Sequence, residues 1–548
     1  MDNKTIAKKF KLCGQLMELH NENPFRTKAI ANASFKLDKL PFSIAESSLE
    51  TLSEQPGIGK STAEKALEIV HTGSFKELDQ MLSITPEGIL EMLNIKGLGP
   101  KKVQIVWKDL AIESVGELYY ACNENRLIEA KGFGLKTQET IKKAIEFTIA
   151  SQGWFLFAKV QPSAETLFAT LEKIIPPGTL LSFTCDYRRK VEILEHVSVI
   201  IALSTEEITA LLTQVTALTA SSDLRYTDVN GFTFVFISTT KEEFYKDLFI
   251  SSASAAHLAL LPQEIPSAAS EQDIYAALGL AYIEPELREG YNEVALAKAQ
   301  ALPKLIEYTD LTGTLHNHST YSDGVHSLKE MALYCKDVLK LAYLGICDHS
   351  KTAFYANGLS IERLQQQWAE IDQLNIELAP FKIFKGIESD ILSDGSLDYP
   401  DEILAGFDFV VASVHANLKM DEQKATERIL KAIENPYTTI LGHPTGRLLL
   451  SRAGYPLDFK RIIDACAQHQ VVIEINANPL RLDLDWRWHR YAVEKGVLLS
   501  INPDAHRTEG LTDMLYGTYV ARKGGLEAKD CLNTYSLTEI TNYFQAKK

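Results

Sequence analysis

Seven apolar runs pace the last 240 or so residues of the chain, and each stops at a polar side chain. They lie in TGTLHNHSTYSDG (313–325), LAYLGICDHS (341–350), FKIFKGIESD (381–390), FVVASVHAN (409–417), TTILGHPTGR (438–447), VVIEINANP (471–479) and VLLSINPDAH (497–506). The residues that close them are His316, His349, Glu388, His415, His443, Glu474 and Asp504, at intervals of about thirty positions, room for a strand and a returning helix. Four to six apolar or β-branched residues in a row predict strands buried on both faces, as in a parallel sheet. Polar side chains at the C-terminal ends of many such strands predict a distorted (β/α)7 barrel over 310–548 with its chemistry at the mouth. The first 150 residues carry a different pattern, helix, GxG turn, helix, at Gly57-Ile58-Gly59, Gly97-Leu98-Gly99 and Gly132-Phe133-Gly134.

The barrel's polar residues carry metal chemistry. His316 and His318 alternate, so their side chains share a face. With Asp323, His349, Glu388, His415, His443, Asp504 and His506 they make nine imidazole or carboxylate donors. Such a set suits two to three divalent ions, Mn²⁺, Zn²⁺ or Fe²⁺. His326, His469 and His489 fall away from the strand ends and are expected at the surface or in packing.

The GxG turns carry a different chemistry. Glycine lets the backbone bend, and free N–H groups at the start of the following helix can hold a phosphate. Gly57, Gly59 and Lys60, Gly97, Gly99, Lys101 and Lys102, and Gly132, Gly134 and Lys136 are therefore candidate DNA contacts. This helix-hairpin-helix device grips the backbone of DNA without reading its sequence. Charge changes that picture only in detail. The net charge is −16 over 548 residues, but residues 1–150 carry 20 Lys+Arg against 20 Asp+Glu, so contact with DNA must be local. Hydrophobic content of 45% is that of a globular protein, and no run of 18 apolar residues or signal-peptide core appears. Seven scattered cysteines without a CxxC pair fit a reducing cytoplasm, and no membrane contact is expected.

LHNHSTYSDG, CDHS, GIESDI, SVHA, GHPTGR and NPDAH, in this order and spacing, resemble the PHP (polymerase and histidinol phosphatase) domain of bacterial family X DNA polymerases. The resemblance implies a trinuclear centre. His316, His318, Glu388 and Asp504 would hold one ion and Asp323, His349 and His506 a second. Glu388 would bridge to a third on His415 and His443. NPFRTKAIANAS (23–34) and PGIGKSTAEKALEIVHTG (56–73) resemble the lyase and fingers regions of the same family, which places Lys65 at the position of a Schiff-base lysine. A solvated surface lysine is the plainer reading, since a nucleophilic lysine needs a depressed pKa.

Residues 151–250 depart from the family pattern. Arg188 and Arg189 are kept, but Cys185-Asp186 stands where the resemblance implies Gly-Ser. His196 and Ser198 stand where it implies two metal-binding aspartates, and no acid lies between Asp228 and Glu242 for the third. Two-metal nucleotidyl transfer needs those carboxylates. EQDIYAALGLAYIEPELREG (271–290) again resembles the family's thumb.

The chain is thus expected to be multidomain. An all-α helix-hairpin-helix region would comprise a lyase-like domain (1–80) and fingers (81–150). A degenerate α+β nucleotidyltransferase-like palm (151–250), a shortened thumb (251–300) and the PHP barrel (310–548) would follow. The expected function is metal-dependent 3′-5′ exonuclease or 3′-end phosphoesterase action in DNA repair, on gapped, nicked or 3′-end structures, without polymerase activity. Arg447 and Arg481 are candidates to hold the phosphate, with Lys351 a weaker one. The alternatives are a DNA gap- or end-binding scaffold and a small-molecule phosphatase.

Overall fold

A computed structural model of the chain describes residues 2–40, 42–128, 130–150 and 153–547, with 147–150 described by backbone alone. The chain divides into two compact units, Met1–Phe147 and Thr148–Lys548.

The smaller unit is helical. Asn3–Leu19 and Pro24–Asp38 pack closely enough that Gly14 lies against Ala31, and Phe10 stacks on Phe75 at 5.1 Å. Asn23 caps the second helix by accepting from Phe25 N at 2.9 Å, with Pro24 at its first position. The first two GxG turns bury their middle residue and leave their glycines outside, Ile58 and Leu98 being buried while Gly57, Gly59, Gly97 and Gly99 are exposed; in the third, Phe133 and Gly134 are half-buried.

The larger unit holds the segments expected to form the palm and the thumb, and the barrel. The palm sheet runs in the order 181–184, 197–201, 233–238, 225–228, 218–222, with Val197–Ile201 parallel to Thr233–Ser238 and the other pairs antiparallel. The barrel strands are β1 (Gly313–Thr314), β2 (Tyr343–Ile346), β3 (Lys382–Asp390), β4 (Phe409–Ser413), β5 (Ile440–Leu441), β6 (Val472–Asn476) and β7 (Leu499–Asn502). All pair in parallel and in sequence order, β1 through β7. Phe409 fills the interior so tightly that a Cβ on Gly345 or Gly386 would meet its ring at 2.6 or 2.5 Å. Phe544, from the last helix, Leu537–Lys547, stacks on Phe409 at 5.0 Å and closes the floor.

No ladder joins β7 to β1. Asn533, fully buried, spans that seam instead: its Nδ2 donates to Gly313 O (3.2 Å) and Ile501 O (2.9 Å), and its Oδ1 accepts from Ile501 N (2.7 Å). At the mouth, His318 N donates to Ala505 O at 2.9 Å.

Palm, thumb and barrel are joined by ion pairs. Lys523, buried in a barrel helix, bonds Glu289 and the Arg189 carbonyl, and Arg522 holds Glu286 (2.9 Å) and Glu307 (2.6 Å). Inside the thumb, Glu271 sits between Arg188 (2.5 Å) and the fully buried Arg288 (2.6 Å). Glu271→Ala should leave two guanidinium groups facing each other without a carboxylate, at a cost of about 3–5 kcal/mol. Hydrogen exchange should report this as faster opening of residues 244–298; unchanged protection there would show that the network carries no stability.

Candidate metal centre

The strand ends converge on Glu388, near the end of β3. Its Oε1 lies 3.0 Å from His443 Nε2, 3.1 Å from His415 Nε2 and 3.4 Å from His316 Nε2. Its Oε2 lies 2.9 Å from His349 Nδ1 and 3.7 Å from His318 Nε2. Asp504 Oδ1 is 3.0 Å from His318 Nε2 and 3.7 Å from His316 Nε2. Asp323 meets His506 Nε2 at 3.2 Å and His349 Nε2 at 3.5 Å. None of these nine side chains is more than 7% exposed, so their charges must be balanced within the protein. Ligand atoms fall within 4.8 Å of one another in the sets His318–Asp323–His349–His506, His316–His318–Asp504 and His349–Glu388–His415.

A cation fits this arrangement better than hydrogen bonds do. His316 Nδ1 lies 2.7 Å from Glu474 Oε1 and His415 Nδ1 lies 2.6 Å from Asp390 Oδ1. Each ring therefore donates its Nδ1–H outward and turns Nε2 onto the same oxygen of Glu388. Two imidazole lone pairs against a carboxylate oxygen repel unless positive charge lies among them. His318 Nδ1 and His443 Nδ1 are buried without a hydrogen-bond partner. Imidazole and carboxylate donors with carboxylate-backed histidines are the usual make-up of a divalent-metal site.

The electrostatics agree. Burial opposes charge on Asp323, Glu388 and Asp504, yet the surrounding histidines hold all three well below the usual carboxylate range. Burial also opposes charge on His349, but Asp323 and Glu388 raise it to about 10. His316 and His415 are likewise raised against burial, His316 by Glu474, Glu388 and Asp504 and His415 by Glu388 and Asp390. His318 is pushed down to about 3 by burial and by His506 and His349; His443 is lowered by burial and by Arg481. Positive charge is thus demanded at some positions and neutral imidazole at others.

Three carboxylates that the sequence reading did not count among the donors steady the set. Glu474 also accepts from His443 N (2.7 Å), Asn476 Nδ2 (3.2 Å) and Asn502 Nδ2 (3.1 Å). Asp348, fully buried, accepts from Ser319 N (2.8 Å), Ser322 N (3.1 Å) and Gln367 Nε2 (2.5 Å) and so fixes the turn that carries Asp323. Asp390, two residues beyond Glu388, stands on the same face of β3.

The candidate phosphate holders separate. Arg481 is buried at the centre, its Nε 3.6 Å from Asp504 Oδ2. Arg447 is turned to the chain itself: Nη1 bonds Asp485 at 2.7 Å, Nε donates to Arg481 O at 2.9 Å, and Nη2 donates to Leu482 O. Lys351 is exposed, 5.7 Å from the centre of the Tyr399 ring. His489 is buried in packing with Nε2 3.1 Å from Leu484 O, His326 accepts from Thr508 N at 3.2 Å, and His469 ends a helix.

A protein of Bacillus subtilis (strain 168) named DNA polymerase/3′-5′ exonuclease PolX is 34% identical to this chain over 583 aligned positions, which cover 100% of both. The chain belongs to the PolX family. Within this PolX-family chain, residues 1–75 match the family model of the helix-hairpin-helix domain and residues 89–146 that of the SAM-like helix-hairpin-helix tandem. A probable phosphatase of Thermoanaerobacter sp. (strain X514) is 29% identical over 189 residues, 32% of this chain and 74% of the relative. One of Vibrio atlanticus (strain LGP32) is 25% identical over 222 residues, 37% of this chain and 78% of the relative.

The three hairpins of this PolX chain share one local geometry. Ile58 N bonds Gln55 O (3.0 Å), Leu98 N bonds Ile95 O (3.1 Å) and Phe133 N bonds Ala130 O (3.0 Å). Gly57, Gly97 and Gly132 take φ of 78°, 97° and 83°, which only glycine adopts without strain. Gly59 and Gly99 precede helices with no side chain capping them, so first-turn N–H groups face outward. Lys60, Lys101 and Lys136 are exposed beside these starts, whereas Lys102 Nζ bonds Gly97 O at 3.3 Å. Lys65 is 18% exposed and bonded to Ser61 Oγ (2.8 Å) and Glu77 (3.1 Å), a carboxylate it shares with Arg26.

The two palm arginines are engaged in ion pairs, chiefly with residues of the thumb. Arg188 is paired to Glu271, and Arg189 to Asp186 (2.6 Å) and Glu289 (3.1 Å). Ser198 is buried and sits in register with Val235, so the neighbouring strand offers no acid; His196 is half-buried.

Glu388→Ala and Asp504→Asn should each abolish phosphoesterase turnover under Mn²⁺ while leaving DNA affinity nearly unchanged. A variant retaining more than about a tenth of the wild-type rate, less than one 1.4 kcal/mol step, would remove that residue from the site.

Proposed function

We propose that this chain is a DNA-binding, metal-dependent phosphoesterase that processes 3′ ends during repair in the cytoplasm, as a 3′-5′ exonuclease or 3′-end hydrolase. The observation that carries the proposal is the completeness of the barrel centre beside a palm that has lost its carboxylates. His316, His318, Glu388 and Asp504 would hold one divalent ion, Asp323, His349 and His506 a second, and His415 and His443, together with Glu388, a third. When bound, such ions activate water and neutralise charge on phosphate. Mn²⁺, Zn²⁺ and Fe²⁺ all suit this donor set.

The protein's own groups orient the reaction. Arg481, buried beside Asp504, is the candidate to hold a phosphate oxygen, and Asp390 and Glu474 keep two imidazoles in one tautomer. The hairpins grip phosphates of gapped, nicked or 3′-recessed DNA through the backbone. A second reading, hydrolysis of a soluble phosphomonoester, draws on the relatives named as probable phosphatases. Purified protein with Mn²⁺, a labelled 3′ strand and p-nitrophenyl phosphate separates the two by which substrate is consumed.

Gly57→Val and Gly97→Val should each weaken DNA binding severalfold, because both positions need positive φ. Wild-type affinity should fall steeply between 50 and 200 mM salt, as phosphate contacts require. Binding indifferent to both changes would favour the soluble phosphomonoester.

The protein should not extend a primer. His196, Ser198 and Val235 offer Mg²⁺ no anionic cage, and Mg²⁺ demands near-octahedral oxygen ligands. Gapped DNA with all four dNTPs in an Asp504→Asn background tests this; steady templated addition of even one nucleotide would contradict it.

A further inference from the structure

The loop that follows His349 carries an aromatic side chain in an unusual position. Phe354 is 86% exposed, on a 3₁₀ turn (Phe354–Ala356) at the barrel mouth. A single exposed apolar side chain is ordinary on a protein surface. Two features set this one apart. The first is its neighbour: the Tyr355 ring lies 6.2 Å from His349 and 6.5 Å from His415, so the turn runs beside the candidate metal centre.

The second feature is that the loop is held at both ends. Thr352 N donates to Asp398 (2.7 Å) and Thr352 Oγ1 to Asp390 (2.9 Å), the carboxylate that also orients His415. At the other end Arg363 Nη1 donates to Asn357 O (2.8 Å), and its Nη2 donates to the Tyr321 carbonyl. Gly358 lies so close to Ser350 O that a Cβ there would meet it at 1.9 Å. The ring is therefore presented to solvent by a pinned turn. Presenting it that way loses the stabilisation that burial would bring, about 1.5–3 kcal/mol for a phenylalanine.

We propose that Phe354 is a specificity-determining residue, a platform on which the base of the 3′-terminal nucleotide stacks while its phosphate lies at the centre. The inference rests on the 3′-end reading above and deepens it. Every base offers a π-face, so one phenyl ring selects for a base without selecting which base. A small phosphomonoester or a baseless sugar phosphate gains nothing from it. The preferred substrate is thus a base-bearing, unpaired 3′ end.

The test compares two single-stranded oligonucleotides, one ending in a normal nucleotide and one ending in a tetrahydrofuran abasic analogue. The wild type should show a KM roughly tenfold lower for the base-bearing end, within the range that base–aromatic stacking gives. Phe354→Ala should bring that ratio to about one with kcat little altered, and Phe354→Trp should restore it. A readout without turnover uses the Asp504→Asn background and a 3′-terminal 2-aminopurine. Its fluorescence should be quenched on binding, and the added Phe354→Ala change should abolish the quenching.

Equal KM for both ends in the wild type, with active hydrolysis, would overturn the platform and leave the 3′-end reading standing. A Phe354→Ala variant that loses both substrates in proportion would show a structural role and overturn it too. Wild-type protein that cleaves p-nitrophenyl phosphate but neither oligonucleotide would remove the 3′-end reading itself, and the platform with it.

Discussion

A buried carboxylate within reach of five imidazoles is the constraint around which the larger unit is arranged. Glu388 is almost wholly removed from water, and a carboxylate there must be matched by positive charge. The histidines come from the ends of four different strands or the segments just after them, so the match depends on every strand holding its register. Parallel pairing from β1 to β7 supplies that register, and the small residues Gly345 and Gly386 let Phe409 fill the interior beneath it. The outer carboxylates then fix which nitrogen of each ring faces inward.

The palm shows the opposite condition. Its two adjacent arginines are tied into ion pairs within the protein. Arg188 and Arg189 look like survivors of a binding site in the sequence, yet in the structure both are parts of ion-pair chains reaching Glu271, Arg288, Glu289 and Lys523. Replacing either would leave a buried carboxylate short of a partner, so both arginines carry a structural load whatever the palm does chemically. Ser198 and Val235, in register on neighbouring strands, are uncharged and pack there without an ionic partner.

Much of the candidate metal centre was legible in the sequence because side chains at the mouth of a parallel barrel fall where an apolar run ends, and the runs recur at a steady interval. The helix-hairpin-helix turns were legible for a similar reason, since positive φ calls for glycine at fixed spacing. What the pattern did not separate is a ligand from its buttress. Glu474 closes a strand as Glu388 does, and only the distance to His316 Nδ1 reveals that it works through the ring. Arg447 and Arg481 lie equally close to strand ends, but the loop at 481–485 wraps one guanidinium and leaves the other at the centre. Asn533 and Phe354 sit in segments without periodicity, where their roles depend on tertiary placement alone.

The seam between β7 and β1 gives the chain's last stretch a meaning that its distance from the chemistry conceals. His316 and His318 stand on one lip of that seam and Asp504 and His506 on the other. One asparagine amide, arriving from beyond the seventh strand, laces the two lips together below them. The tail is therefore the keystone of an arch rather than its trailing end. The nine candidate ligands all precede Asn533 in the sequence, so each is synthesised before the residue that sets the spacing across the seam. The candidate site can therefore close only once that later segment has folded against the two lips.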